Sequence, residues 1–305
     1  MITIDAHMDV PWIMTKLGAG FDLKEGHPNS MFSIPKAKEG GLDAAFFALY
    51  LSDDWQDASN PVDTGIELLR QVNRIREDPS VKIVKTYQEA IQAKASGLYP
   101  IFLGLEGGRL ISESFLRLGG FAEIGVRYLT LTHNKNTSWA DSATDEPNLR
   151  GLTDFGLLVI KKCNELGVII DVSHVSDASA NVAIGFSSKP VIASHSGVRN
   201  LVRQPRNVSD NLIRAIAASN GVICVPFVKK FIGHYTVADH IDYIASMVGS
   251  QHVGVGSDLD GARLINGFNS VPQWYETVAL DLVTKGWNDI MINWVLGGNL
   301  ARVIG

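Results

Sequence analysis

Residues 155–174 read FGLLVIKKCNELGVIIDVSH, and the fold follows from this stretch. Its first half spaces Phe155, Leu158, Val159, Cys163 and Leu166 three and four apart, which predicts a helix with one apolar stripe. Its second half, residues 168–172, is a run of apolar β-branched residues, broken only by Asp171, without alternation. Such a run suits a parallel strand covered on both faces, where neither side has to meet water. His174 follows the strand after a single serine.

The same pattern repeats in both directions. Strand-like runs lie at residues 2–5, 42–51, 99–105, 126–132, 190–193, 221–228 and 253–256, with helix-length segments between several of them. Ile241, Ile244, Ala245 and Val248 form a second helical stripe. Leu212, Ile213, Ile216 and Ala217 form a third, opening after the good N-terminal residues Ser209 and Asp210 and stopping at Asn220-Gly221. Eight strand candidates alternating with helices in 305 residues predict an α/β fold, a (β/α)8 TIM barrel in preference to an open sheet. No low-complexity linker or internal repeat interrupts the pattern, so residues 1–305 are expected to form a single barrel domain. Polar, glycine-bearing residues 18–35 suit a long loop after the first strand, and residues 263–274 a similar one after the eighth.

Composition narrows the function classes. With 27 Lys and Arg against 32 Asp and Glu the net charge is −5, without the basic excess a general nucleic-acid binder needs. The longest apolar run, residues 44–51, is far short of the roughly 18 residues of a membrane span. The first five residues lack the basic start and apolar stretch of a signal peptide. No membrane anchor is visible, and the expected location is the cytoplasm. Cys163 and Cys224 are too few for a disulfide framework or a four-thiolate site and read as buried apolar groups.

Chemistry gathers at the strand ends. The first run leads to His7 and Asp9, the third to Glu106 with Gly107-Gly108, the fourth to His133-Asn134, the fifth to His174 and the sixth to His195. The eighth leads to Asp258 and Asp260 in the sequence GSDLDG. In a barrel these positions converge on the C-terminal mouth. One histidine beside a strand is usually structural, but four at four strand ends, with carboxylates in the same layer, form a metal-binding pattern. Three histidines (His7, His174, His195) and two carboxylates (Asp9, Glu106) exceed the three protein ligands of a mononuclear catalytic zinc. They suffice for two ions if one carboxylate bridges. Imidazole with carboxylate suits zinc, with manganese, cobalt or iron accommodated by the same donors, and the chemistry expected of two such ions is metal-assisted hydrolysis. The glycines after Glu106 suit either a close approach of backbone to metal or a simple turn.

These motifs, with Arg206-Asn207-Val208 and the GGNLARV of residues 297–303, resemble the membrane dipeptidase (renal dipeptidase) family of zinc peptidases over essentially the whole chain. The resemblance implies two Zn2+: one bound by His7 and Asp9, the other by His174 and His195, with Glu106 bridging. It implies that a metal-bridged hydroxide attacks the peptide carbonyl, that Asp258 moves the proton, and that His133 contacts substrate near the scissile carbonyl. Arg206 would hold the free C-terminal carboxylate of a dipeptide, a task suited to its bidentate fork. A D-residue at the C-terminal position and a homodimer are further implications. Where the family often carries a tyrosine this chain has Pro226-Phe227-Val228. Rival readings are a related hydrolase acting on another amide or a lactone, a one-metal deaminase, and a metal-binding barrel without catalysis.

Overall fold

The computed structural model describes residues 1–265 and 274–305, so most of the loop expected at 263–274 lies outside the described residues. The strands are β1 (Ile4–Met8), β2 (Ala44–Leu49), β3 (Val81–Ile83), β4 (Tyr99–Glu106), β5 (Val126–Thr130), β6 (Ile169–Asp171), β7 (Val191–Ala193), β8 (Val222–Val225) and β9 (Val253–Val255). Eight of them pair in parallel in the order β1-β2-β4-β5-β6-β7-β8-β9. The ends of that order meet where the Asp9 N–H donates to the Leu259 carbonyl at 2.8 Å and the Asp258 N–H to the His7 carbonyl at 3.0 Å. The result is the (β/α)8 barrel expected from the sequence, and each of the eight predicted runs overlaps one barrel strand. β3 was not anticipated. Its Val-Lys-Ile is three residues long, exposes Lys82 and, among the described residues, pairs only with β4, outside the ring.

Alternation along the strands divides the interior in two. Ile4, Phe46, Phe102, Tyr128, Ile169, Ile192 and Val222 join one buried cluster, which Leu300 and Ile304 of the last helix also enter. Their strand neighbours Phe47, Leu103, Leu129, Ile170, Val191, Ile223 and Val253 belong to the larger cluster shared with the surrounding helices. The first set therefore faces the lumen and the second the helical shell. Following the lumen-facing positions upward gives Phe102-x-Gly104-x-Glu106, Ile169-x-Asp171 and Ile192-x-Ser194. An apolar floor is succeeded by a polar layer at the C-terminal ends. In β1 the register with β2 shifts between Asp5 and Met8, and this irregularity accompanies the change that brings His7 inward.

The helix Asp154–Leu166 begins at Thr153, whose side chain accepts the Gly156 N–H, and ends at Gly167 in the left-handed region at φ 67°. Its buried residues are Gly156, Val159, Ile160 and Cys163, whereas Leu158 of the expected stripe is half exposed. The apolar arc is rotated so that Ile160, not Leu158, meets the barrel. The helices Asp210–Ala218 and Val237–Val248 bury Leu212, Ile213 and Ile216, and Ile241 and Ile244, as their spacing required. The region 18–35 is largely loop, with Ile34 and Pro35 opening a short helix.

Candidate metal centre at the strand ends

The candidate ligands and Asp258 sit at or just beyond the end of a strand and are buried. His7 lies in β1 and Asp9 immediately after it; Glu106 is the last residue of β4. His174, His195 and Asp258 follow β6, β7 and β9 within three residues. Asp9 occupies the position before the helix Val10–Leu17 but makes no side-chain cap, which leaves its carboxylate for other work. Two backbones are bent to deliver their side chains: His174 has φ 67° and Asp258 φ 62°, a region that Asn, Asp and His tolerate better than bulkier residues. The His174 turn is pinned through its carbonyl, which accepts from the Ala143 N–H at 2.7 Å and the Thr132 hydroxyl at 2.9 Å.

The donor atoms surround Glu106. Its Oε1 lies 3.5, 3.1 and 3.5 Å from the Nε2 atoms of His7, His174 and His195. His7 Nε2 is 3.7 Å from Asp9 Oδ2, and the Nε2 atoms of His174 and His195 are 3.0 Å apart. Metal bonds of about 2.1 Å in a tetrahedron space their donors roughly 3.4 Å apart, so the distances fit a metal's coordination sphere. Two clusters share Glu106: His7 with Asp9, and His174 with His195. A third groups His7, His195 and Asp258. His7 Nε2 and Asp9 Oδ1 are buried without a hydrogen-bond partner, an arrangement costly unless a cation satisfies them.

Electrostatics point the same way. Burial pushes the Asp258 carboxyl well above the usual range, and Asp9 beside it adds to the shift; burial raises Glu106 as well. Burial alone would lower His7, but Glu106 and Asp9 outweigh it and drive its pKa up to about 10. Burial, then Arg206, holds His174 well below its ordinary value; burial, then His7, does the same for His195. His174 and His195 are thus held neutral, and a divalent ion would take the place of the proton that the crowded carboxylates draw onto His7.

The hydrogen bonds behind the ligands were not read from the sequence. Asp171 accepts from the Thr130 hydroxyl at 2.6 Å, the Ser194 hydroxyl at 2.7 Å and the Ser173 and Ser194 N–H groups at 3.0 and 2.8 Å. With its one proton given to Asp171, the Ser194 hydroxyl accepts from His195 Nδ1 at 2.8 Å. That fixes the tautomer whose Nε2 lone pair faces Glu106. His7 Nδ1 meets the Tyr128 hydroxyl at 2.7 Å. Tyr128 fits only because residue 104 is glycine: a Cβ there would lie 2.1 Å from its ring. Asp5 accepts from the N–H groups of His7 and Ser257, both at 2.9 Å, and so ties β1 to the turn after β9.

Above the cage lies a cleft of about 310 Å³ reached by Asp9, Glu106, His133, His174, Arg206 and Asp258, with Trp12 and Tyr50 in its wall. The structure thus brings all eight expected site residues to one place. The loop carrying Arg206 is not uniformly solvated: Arg203 is exposed, but Arg206 is 5% exposed. Its guanidinium lies 5.1 Å from the Phe231 ring, and Nε and Nη2 are buried without partners. Burial lowers its pKa to about 10, which leaves it charged near neutrality. Among the aromatic and acidic side chains near the mouth, Trp12 lines the cleft. Trp139 is core, packed beneath Gly108, and Asp141 accepts the Leu149 and Arg150 N–H groups as a loop anchor. Gly107, at φ 116°, and Gly108 make a packed turn. His240, on the helix Val237–Val248, is fully buried, where it accepts the Val198 N–H at 2.9 Å.

Fold and cage together define a (β/α)8 barrel equipped to hold metal ions at its strand ends. The chain belongs to the membrane dipeptidase family, peptidase family M19, whose model matches residues 1–305. It is 31% identical over 322 residues to dipeptidase 3 of Mus musculus, covering 98% of this chain and 63% of that protein. For dipeptidase 3 of Rattus norvegicus the identity is 32% over 324 residues, covering 98% and 64%. The chain thus spans less than two-thirds of the length of these curated relatives. A metallo peptidase from Rhodobacter sphaeroides, solved with a phosphinate mimic of the dipeptide L-Ala-D-Ala, superposes with a TM-score of 0.88 at 22% identity, covering 100% of this chain and 98% of its own. A probable dipeptidase from Pseudomonas aeruginosa gives 0.88 at 24%, covering 100% and 95%. These two establish the shared fold.

Family membership corrects the expected location. The cytoplasmic reading rested on finding no leader or anchor pattern in these 305 residues, whereas the family is one of membrane dipeptidases. Leaders and anchors are separate segments, and the charge and packing of a barrel carry no such address. Among the described residues no helix is long and apolar enough to cross a membrane.

Proposed function

We propose that this protein is a metal-dependent dipeptidase, acting through residues 1–305 as one barrel domain on dipeptides with a free C-terminal carboxylate. The observation that carries the reading is Arg206, a charged guanidinium buried in the wall of the cleft with two nitrogens unpartnered. A substrate carboxylate would satisfy both, which a neutral amide or lactone would not.

His7 and Asp9 would hold one Zn2+, His174 and His195 the second, and Glu106 both. Two zinc ions so bound supply a water activated near neutral pH and polarisation of the carbonyl. The chain's own groups do the rest. Asp258, beside Asp9 and His7, takes the proton of the attacking water and returns it to the leaving amine. His133, at the edge of the cage, donates toward the carbonyl oxygen as charge develops there. Arg206 fixes the far end, so a dipeptide spans the cleft from cage to guanidinium. The L-Ala-D-Ala mimic bound by the Rhodobacter sphaeroides peptidase is the ground for including a C-terminal D-residue, and family resemblance for including a homodimer.

The test is an assay of zinc-loaded protein against L,L and L,D dipeptides, their C-terminal amides and a lactone, with a chelated control and a metal count. Expected are a ratio near two metals per chain, turnover of free acids abolished by chelation, and amides cleaved far more slowly. Equal rates on acids and amides would remove the Arg206 role, and a preference for the lactone would replace the dipeptidase reading.

A further inference from the structure

β2 supplies no ligand to the cage, yet the segment after it reaches the cleft. Ser52 caps the helix Asp53–Ala58, its hydroxyl accepting the Trp55 N–H at 3.3 Å, so Asp53, first in that helix, is not needed as the cap. The Asp53 side chain turns instead toward His133: its Oδ2 lies 3.4 Å from His133 Nδ1, with both side chains about seven-eighths buried. Among the described residues this is the one hydrogen bond of that carboxylate, since Oδ1 is buried without one.

We propose that Asp53 is a positioning residue: its carboxylate holds the Nδ1 edge of His133 so that Nε2 is the nitrogen offered to the substrate. The inference rests on the dipeptidase reading and adds a residue to it. The His133 carbonyl accepts the Ser142 hydroxyl at 2.6 Å, but among the described residues its ring is otherwise held only by ring contacts, with Tyr50 at 4.7 Å and His174 at 4.3 Å between centroids. Tilted ring contacts, at 53° and 35° between planes, do not choose which nitrogen points outward; an acceptor at Nδ1 does. Asp53 is itself braced. Arg109 Nη1 is 3.8 Å from Asp53 Oδ1, while Nη2 of the same guanidinium binds Asp57 at 2.5 Å, and Lys135 also binds Asp57. Burial opposes the charge on Asp53, but His133 and Arg109 keep its carboxyl below the usual range. The brace joins the segments after β2, β4 and β5, so the position of His133 is set by three loops at once.

The experiment uses the full zinc-loaded chain and three variants: Asp53→Asn, Asp53→Glu and, as a control for the exposed part of the brace, Asp57→Asn. Asp53→Asn is expected to lower kcat about tenfold or more, with KM and metal content within twofold of the parent. Asp53→Glu should recover part of the loss, and Asp57→Asn, which loosens the brace only at its solvent edge, should cost clearly less than Asp53→Asn. A readout independent of turnover is the nitrogen-15 spectrum of histidine-labelled protein: the parent shows a His133 Nδ1–H resonance protected from exchange, and Asp53→Asn loses it. Unchanged kcat in Asp53→Asn, a loss that tracks lost metal, or an unaltered His133 resonance would overturn the proposal. If the parent cleaves no dipeptide, the functional reading fails instead, and the spectrum still decides whether Asp53 orients His133.

Discussion

At Asp258 the chain accepts a left-handed backbone and a buried carboxylate in one residue, two costs that a structural turn would avoid. If the carboxylate moves the proton, Asp258→Asn preserves shape and removes the acceptor; metal content should hold while kcat falls roughly 10²–10⁴-fold. Full activity in that variant would reduce Asp258 to a turn residue. Tyr128→Phe tests a different layer: without the hydroxyl, His7 Nδ1 loses its buried partner, and zinc affinity should fall about 10–100-fold in a titration against a competing chelator. The ligands were legible in the sequence because each stands beside its own strand. Tyr128 and Asp171 were not, because their partners come from neighbouring strands far away in the chain. Asp53 left no trace either, lying beyond a strand end that carries no ligand.

At the scale of elements, the strands were legible because both faces are apolar, and that same continuity concealed which face is the lumen. The polar step at Glu106, Asp171 and Ser194 appears only when alternate residues of adjacent strands are compared. Helical phase was less secure, as Leu158 and Ile160 show: two adjacent apolar residues fit the same period, and tertiary packing chooses between them. Gly104 joins element to site. Gly104→Ala would drive a methyl into the Tyr128 ring, and the displaced ring would carry His7 with it. The expected cost is about 1–3 kcal/mol or more of stability, read as a lower urea midpoint, together with weakened metal binding. A variant with unchanged metal affinity would show that Tyr128 can move without His7.

For the whole molecule, barrel and site could be anticipated together, whereas location could not, since a membrane family can share its barrel with any compartment. Stability against pH offers a test away from the metals. Burial lowers His240 to about 4 from its ordinary 6.5, so as pH falls the unfolded chain takes up this proton before the folded one does. The stability contributed by neutral His240 is complete above pH 6.5 and is lost as the pH drops toward 4, up to roughly 3 kcal/mol. Urea unfolding of chelated protein at pH 7 and pH 5 should show the parent losing more stability than His240→Gln; equal losses would mean that the ring is hydrated in the fold.

The junction of β1 with the turn after β9 has a kinetic meaning. Ser257 and Asp5 are 252 residues apart in sequence, and the same seam brings Asp258 beside His7 and Asp9. No partial barrel, however well its middle strands have formed, contains the whole cage. Ring closure across so long a loop is among the slowest contacts a chain can make. Capture of the full metal complement should therefore trail the recovery of helix signal during refolding, making the metals reporters of the last seam to close.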